Sequence, residues 1–263
     1  MMIKHFNQQL IEVSKFRFVL QQLVRQQLIL RYRRTALGYV WTLINPLLMM
    51  SVTAVVFSTL FKLELKTYAV FLFAGMIPWN YFNSSIVQSG SAFISNESLI
   101  KKIYLPKSLF PLSISLGILI DSVLSFFALL LIILALGGQF SWALLFIPVA
   151  FLLLFFFTFG IALVFSIVTV FFRDMQYIVT IAMQALFFLT PVMYNKAMLG
   201  GKVAVLVAMN PINPFIEMFR FPLVSGTLPS VWVVTQAILF AAISMVVGFF
   251  VFICNEKKIV FRL

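Results

Sequence analysis

The sequence predicts an all-α membrane protein with six transmembrane helices. An amphipathic helix precedes them at the membrane surface, and two short re-entrant helices lie between spans five and six. Three observations carry this reading. Of 263 residues, 63% are hydrophobic and only 10% are charged. Several apolar runs exceed the ~20 residues that cross a ~30 Å hydrocarbon core as a helix. The 19 Lys and Arg, against 7 Asp and Glu, lie mostly before and between those runs. That is how basic residues mark cytoplasmic loops, rather than a nucleic-acid surface.

Each element has its own signal. Residues 1–37 form the amphipathic segment, in which Val13, Phe16, Leu20, Leu23, Val24 and Leu30 recur at helical spacing beside Arg17, Arg25 and several glutamines. A helix with an apolar stripe and a basic face suits a membrane interface. The six-span domain covers 38–254, with spans at about 38–61, 68–94, 109–136, 142–172, 177–194 and 229–253. Asn45-Pro46 predicts a bend or break early in the first span. The second carries Ser84, Ser85, Gln88, Ser89 and Ser91, a half-polar character that points to other helices or a polar path rather than lipid. The first apolar run, from near Gly38, is too long for the core of a signal peptide.

Between spans two and three, Ser95 or Asn96 can cap a short helix, with Glu97 in its first turn, Lys101 and Lys102 in its last, and Pro106 ending it. A capped helix in a loop needs something to pack against, and a cytoplasmic partner is the natural candidate. Between spans five and six, Val203 to Met209 is apolar but too short to cross. Asn210-Pro211 and Asn213-Pro214 then predict a second short helix, capped by Asn213 and reaching Phe221. Glu217 and Arg220 are spaced to pair on it. Two such helices fit a hairpin buried in protein. Residues 255–263 form a basic tail.

Six crossings put both termini on one side. Lys62, Lys66, Lys196, Lys202 and Arg220 then face the other way, and the remaining fourteen of the nineteen basic residues share the side of the termini. Both termini, the 95–108 loop and Arg173 are therefore expected in the cytoplasm, and the chain is expected to be a multi-pass protein of the cytoplasmic membrane.

Signals for catalysis are weak. The only histidine, His5, has no partner in sequence, and the single cysteine, Cys254, excludes an intrachain disulfide or a thiolate cluster. No catalytic set, metal ligands or cofactor of its own is expected. No Gly-x-x-x-x-Gly-Lys-Ser/Thr is present, so the chain has no nucleotide-binding loop of that kind. Asp121 is the one clear intramembrane carboxylate, read either as a functional group or as a buried charge paired with a neighbouring helix. Tyr39, Trp41, Trp79, Tyr81 and Tyr194 lie near polar or broken segments. They are candidates to line a route, because an aromatic wall accommodates the C–H face of a sugar while its edge hydrogen-bonds. Trp41, Trp79, Trp142 and Trp232 can equally be interfacial anchors.

Several stretches together resemble the membrane subunit of an ABC-2 type transporter, specifically polysaccharide exporters of the O-antigen and teichoic-acid kind. They are Leu30-Arg-Tyr-Arg-Arg-Thr-Ala-Leu-Gly-Tyr-Val-Trp41 with Asn45-Pro-Leu47, Arg173-Asp-Met-Gln-Tyr177, Phe187-Phe-Leu-Thr-Pro-Val-Met-Tyr194 and Asn210-Pro-Ile-Asn-Pro-Phe-Ile-Glu217. The similarity covers nearly the whole length, in order. It implies a half-channel that forms a homodimer above two copies of a separate ATPase, with ATP and Mg bound on that partner.

By the same resemblance the 95–108 helix, with Glu97, Leu99, Lys101, Lys102 and Tyr104, is the coupling helix. Arg173 and Asp174 make a shorter contact with the ATPase, and the basic N-terminal segment is the interface helix. Asn210, Pro211, Asn213, Pro214, Glu217 and Arg220 belong to an outer gate. A lipid-linked glycan is expected to enter near Arg31, Arg33 and Arg34. Those arginines could serve a pyrophosphate headgroup, anionic lipid or the ATPase, and the sequence leaves the three open. The nearest rival is a drug or small-lipid exporter of the same architecture, which wants an apolar pocket. From another class, a membrane-embedded glycan-processing enzyme needs a carboxylate or histidine set that the sequence lacks.

Overall fold

The structure, a computed structural model, describes residues 11–32, 37–135, 137, 140–196 and 199–263. Among these residues every regular element is helical. Among the described residues the fold is organised by α1 (Arg17–Tyr32), α2 (Trp41–Phe61), α3 (Leu65–Ser89), α4 (Glu97–Lys102), α5 (Leu109–Ala135), α6 (Ile147–Phe171), α7 (Met175–Phe188), α8 (Gly201–Ala208), α9 (Asn213–Arg220) and α10 (Val231–Arg262).

Four of the described helical segments are long and apolar enough to cross a membrane: Ile44–Phe61, Leu109–Ala135, Trp142–Phe171 and Val231–Arg262. Six were expected, and the two that differ have physical reasons. α3 is long enough, but Asn80, Asn83, Ser84, Ser85 and Gln88 thin its apolar content. Its polarity is tolerated because it is the hub of the fold. It packs on α2, α5, α6, α7 and α9, and Tyr68, Leu72, Phe73, Ile77, Phe82 and Ile86 are all buried. α7 has 14 residues and spans roughly 21 Å at about 1.5 Å per residue. The expected fifth span to Tyr194 stops at Phe188, because Pro191 cannot donate to a helical carbonyl and biases Thr190 away from helical dihedrals.

Other expectations shift at the ends of elements. α2 runs unbroken through Pro46, so of the bend or break expected there the break does not occur. It ends at Lys62, whose left-handed φ of 54° turns the chain so that the Leu63 N–H donates to the Ser58 carbonyl at 2.9 Å, while the Lys62 N–H donates to the Thr59 carbonyl at 3.3 Å. α10 runs on to Arg262, so the basic tail is helical, and the Arg262 guanidinium sits 5.8 Å from the Phe171 ring centroid at the end of α6.

The tightest helix pair is α6 with α10. A Cβ on Gly160 or Gly248 would collide with the backbone of the facing helix, and Ser244 Oγ donates to the Phe157 carbonyl at 2.6 Å. Small residues that let backbones touch are the usual means of joining helices where no hydrophobic force separates protein from lipid. α1 uses its stripe within the chain. It lies along the first turns of α5, with Leu23 buried and Gln27 Nε2 donating to Ser113 Oγ at 3.4 Å. Of the expected headgroup residues, Arg33 and Arg34 lie outside the described residues. Arg31 lies in the last turn of α1, with a side chain that is likewise not described.

Candidate functional site

Three places bring predicted residues together. The first is the end of the bundle formed by the loop after α3, the turn between α6 and α7, and the tail. Asn96 precedes α4, but its side chain makes no cap. Its Nδ2 instead donates back to the Ala92 carbonyl at 2.8 Å. Glu97 sits in the first turn and Lys101 one turn on, so the two meet at 2.6 Å on the exposed face. That hydrogen bond, reinforced by the charges of Lys101 and Arg173, holds the Glu97 carboxyl below the usual carboxylate range. The charge of Arg173, in the turn between α6 and α7, thus acts on Glu97 across two loops far apart in sequence. Leu99 and Ile100 pack inward against the core, while Lys101, Lys102, Ile103 and Tyr104 are exposed, Tyr104 at 75%. Arg173 and Asp174 are exposed beside them.

The second is a polar cavity of about 370 Å³ inside the helical layer. Asn80, Ser84 and Gln88 recur every fourth residue along one face of α3. Across from them α5 brings Asp121, Ser122 and Ser125, and α2 brings Asn45 with Pro46, Met49 and Met50. Asp121 is half-buried, and its backbone carbonyl accepts from Ser125 Oγ at 2.9 Å. A second polar cavity of about 460 Å³ shares Gln88 and is lined by Gln26 and Gln27 of α1 with Ser91, Ser95 and Asn96. The polar face of α3 was legible from its serines. Its meeting with Asp121 was not, because that residue lies a loop and half a helix away.

The third is the opposite end, closed by residues 189–230. Arg220 crosses beneath it. Its Nη1 donates to the Pro191 carbonyl and its Nη2 to the Val192 carbonyl, each at 2.6 Å, while its carbon Cζ lies 3.7 Å from the Phe71 ring centroid. Glu217 forms its ion pair with Lys196, so the expected Glu217–Arg220 pair is corrected. The chain turn after α7 brings Lys196 within reach, while Arg220 points at the carbonyls freed by Pro191. Asn210 Nδ2 donates to Thr190 Oγ1 at 2.8 Å and its Oδ1 accepts from the Ile212 N–H. Asn213, expected as the cap of α9, is its first residue; Ile212 takes the cap position and Asn213 Nδ2 donates to the Val207 carbonyl. Pro214 is buried and Pro211 exposed.

The predicted aromatics divide. Trp79 and Tyr81 are 4% and 0% exposed and are core residues rather than lining, Trp79 standing against Phe82 and Phe187. Every fourth residue of α3 from Asn80 faces the cavity, which turns positions 79 and 81 into the packing. Trp41 is exposed at the start of α2, and Tyr194 Oη donates to the Phe188 carbonyl at 2.8 Å. The Tyr39 side chain lies outside the described residues. No three His, Cys, Asp or Glu side chains gather to hold a metal ion among the described residues.

Known proteins resemble this chain over most of its length. A family model described as ABC-2 type transporter matches residues 19–224. A relative named O-antigen export system permease protein RfbA from Klebsiella pneumoniae is 31% identical over 208 residues, which is 78% of this chain and 80% of the relative. Its namesake from Myxococcus xanthus is 30% identical over 220 residues, covering 83% of this chain and 85% of that protein. The polysialic acid transport protein KpsM of Escherichia coli is 22% identical over 259 residues, 91% of this chain and 96% of its own.

Proposed function

The chain belongs to the ABC-2 type transporter family, and from that premise we propose that it is the membrane-spanning subunit of a polysaccharide exporter. The observation that carries this is the agreement of relatives named for O-antigen export and polysialic acid transport along most of the chain. The exporter is ATP-driven, and a separate cytoplasmic subunit binds ATP and Mg. Two copies of that subunit sit beneath a homodimer of this chain. The cargo is a lipid-linked polysaccharide of O-antigen kind.

In this reading six segments cross the cytoplasmic membrane, with α3 and α7 completing the four apolar spans. Both termini, α4 and Arg173 face the cytoplasm, supported by the excess of Lys and Arg in those segments. ATP binding closes the partner dimer and pushes on the surface made by Glu97, Lys101, Lys102, Tyr104, Arg173 and Asp174. Inward-packed Leu99 carries that push into the core. The glycan headgroup enters beside Arg31, Arg33 and Arg34, and α8 and α9 dip back as the outer gate, with Arg220 and Asn210 holding it shut.

The test is loss of this chain in the cell that makes it. Surface polysaccharide disappears and lipid-linked polymer accumulates inside, and a plasmid copy restores export only beside an ATP-binding subunit that hydrolyses ATP. Normal surface polymer without the chain overturns the proposal. A second reading, a small-lipid or drug exporter, is favoured by an apolar cavity of about 600 Å³ between α5 and α6, lined by Phe126, Phe127, Phe151 and Phe155. On that reading, apolar compounds rather than polymer stimulate ATP hydrolysis.

A further inference from the structure

We propose that the two polar cavities that share Gln88 form one water-filled groove that binds the hydroxyl-rich sugar units of the polymer. This rests on the export reading above and assigns the substrate contact within this chain.

The argument starts from cost. Amide, hydroxyl and carboxylate groups within apolar spans are expensive against lipid and face protein or water. Here they are not scattered. Asn80, Ser84 and Gln88 fall on one face of α3 by their spacing of four, and Asp121 and Ser125 do the same on α5. Two polar helix faces and Asn45 of α2 thus surround an open volume of about 370 Å³, large enough for several waters. Below Gln88 a second volume of about 460 Å³ continues between α1 and the start of the 90–108 loop. From Asn80 to Gln88 the groove rises roughly 12 Å at about 1.5 Å per residue, longer than one sugar ring.

The lining then selects the ligand. Asn and Gln amides each carry donors and an acceptor, and the Ser84 hydroxyl carries both. Ser125 Oγ keeps its acceptor lone pairs while its proton goes to the Asp121 carbonyl, and the Asp121 carboxylate can accept at several positions. A neutral sugar presents the matching set, because each hydroxyl both donates and accepts. Met49, Met50 and Met76 supply a deformable apolar wall, suited to the C–H face of a ring whose exact stereochemistry changes along the chain. The groove also begins at the exposed end, where Ser95 and Asn96 adjoin α4. Movement of α4 by a partner would therefore act on the mouth of the groove directly.

Cysteine protection tests this on the full exporter. In a Cys254→Ala background, which removes the only native thiol, Ser84→Cys and Ser122→Cys place near-isosteric thiols on facing walls. Inverted membrane vesicles carrying the chain and its ATP-binding subunit are treated with an anionic, water-soluble methanethiosulfonate. One set comes from cells that make polymer, the other from cells blocked at the first sugar transfer. Both thiols react in the blocked vesicles. In polymer-bearing vesicles they react about tenfold more slowly, the slowing expected if polymer fills the groove about 90% of the time.

Either variant reads the same space, so failure of one to accumulate leaves the other. No reaction in either set means a dry pocket and overturns the proposal. Equal rates in both sets, whether the groove is empty or held by a phospholipid headgroup, overturn it as well. Surface polymer from cells lacking the chain is scored separately: if it persists, the export reading fails. If it vanishes while protection is absent, only the groove is wrong.

Discussion

The two ends of this bundle are built differently, although each is closed by a connection that carries short helices. At the end closed by residues 189–230, polar side chains spend their hydrogen bonds inside. Arg220 holds two carbonyls and a ring face, Asn210 ties α7 to α9, and Lys196 reaches Glu217. At the end carrying α4, the Glu97–Lys101 ion pair is exposed, and Lys102, Ile103 and Tyr104 point outward. The first end ties most of its buried polar atoms to its own chain, Arg220 Nε and Asn213 Oδ1 excepted, and so acts as a lid. The second turns charged and aromatic side chains outward, as a surface that receives a partner does. Substitutions of comparable size should therefore act on stability at one end and on partnership at the other.

The largest effect belongs to Arg220→Met. It keeps the length and removes the fork, stranding the buried carbonyls of Pro191 and Val192 at about 1–3 kcal/mol each. The unfolding midpoint of the detergent-solubilised chain should fall steeply, with Arg220→Lys intermediate because a single ammonium cannot reproduce two parallel donors. A midpoint for Arg220→Met within error of the wild type would erase the contrast between the ends.

Gly75→Ala sharpens the same point at smaller scale. A Cβ there would lie 2.7 Å from Arg220 Nη2, and the guanidinium has little freedom to yield because both carbonyls hold it. The substitution should cost about 1–2 kcal/mol in the wild type and far less in the Arg220→Met background. Additive effects in the double variant would show that the two residues do not act together.

This lid shows where reading the sequence stops. That Asn213-Pro214 begins a helix was legible, because the fixed φ of proline suits the first turn and its missing N–H costs nothing there. That Glu217 would choose Lys196 was not, since Arg220 offered a partner three residues on while Lys196 is brought near only by the turn at Pro191. Carbonyl partners such as those of Arg220 leave no side-chain signature at all. The end of α7, the expected fifth span, is by contrast legible in the sequence. Thr190-Pro191 carries the signal, but continuing hydropathy to Tyr194 outweighed it. α3 divides the same way: its polar face was readable from a period of four, while Asp121 opposite depends on how helices pair. Trp79 and Tyr81 are buried in the packing, and an aromatic near polar residues reads alike in sequence whether it lines a cavity or packs behind one.

At the open end, Tyr104→Ala and Lys102→Glu should leave unfolding within about 0.5 kcal/mol of the wild type, as surface substitutions do. The same variants should lose co-purification of the ATP-binding subunit and, with it, surface polymer. If either lowered stability as Arg220→Met does while the subunit remained bound, the α4 end would be another lid rather than a docking surface.

The smallest effect concerns Glu97. Its hydrogen bond to Lys101, and after that the charges of Lys101 and Arg173, depress its pKa below the ordinary value. A depressed carboxylate contributes stability that is fully present above its unfolded pKa of about 4.3 and is lost as pH falls through the lower folded value. Between about pH 6 and 8 the Glu97 carboxyl is fully ionised, so anything that docks through it should bind with no pH dependence from Glu97. A carboxyl-detected titration of the solubilised chain should show a low midpoint for Glu97. Lys101→Met should move that midpoint up, and Arg173→Gln should move it up by less, because Arg173 is the weakest of the contributors. An unmoved midpoint in Arg173→Gln would separate the two loops and leave α4 alone as the presented surface.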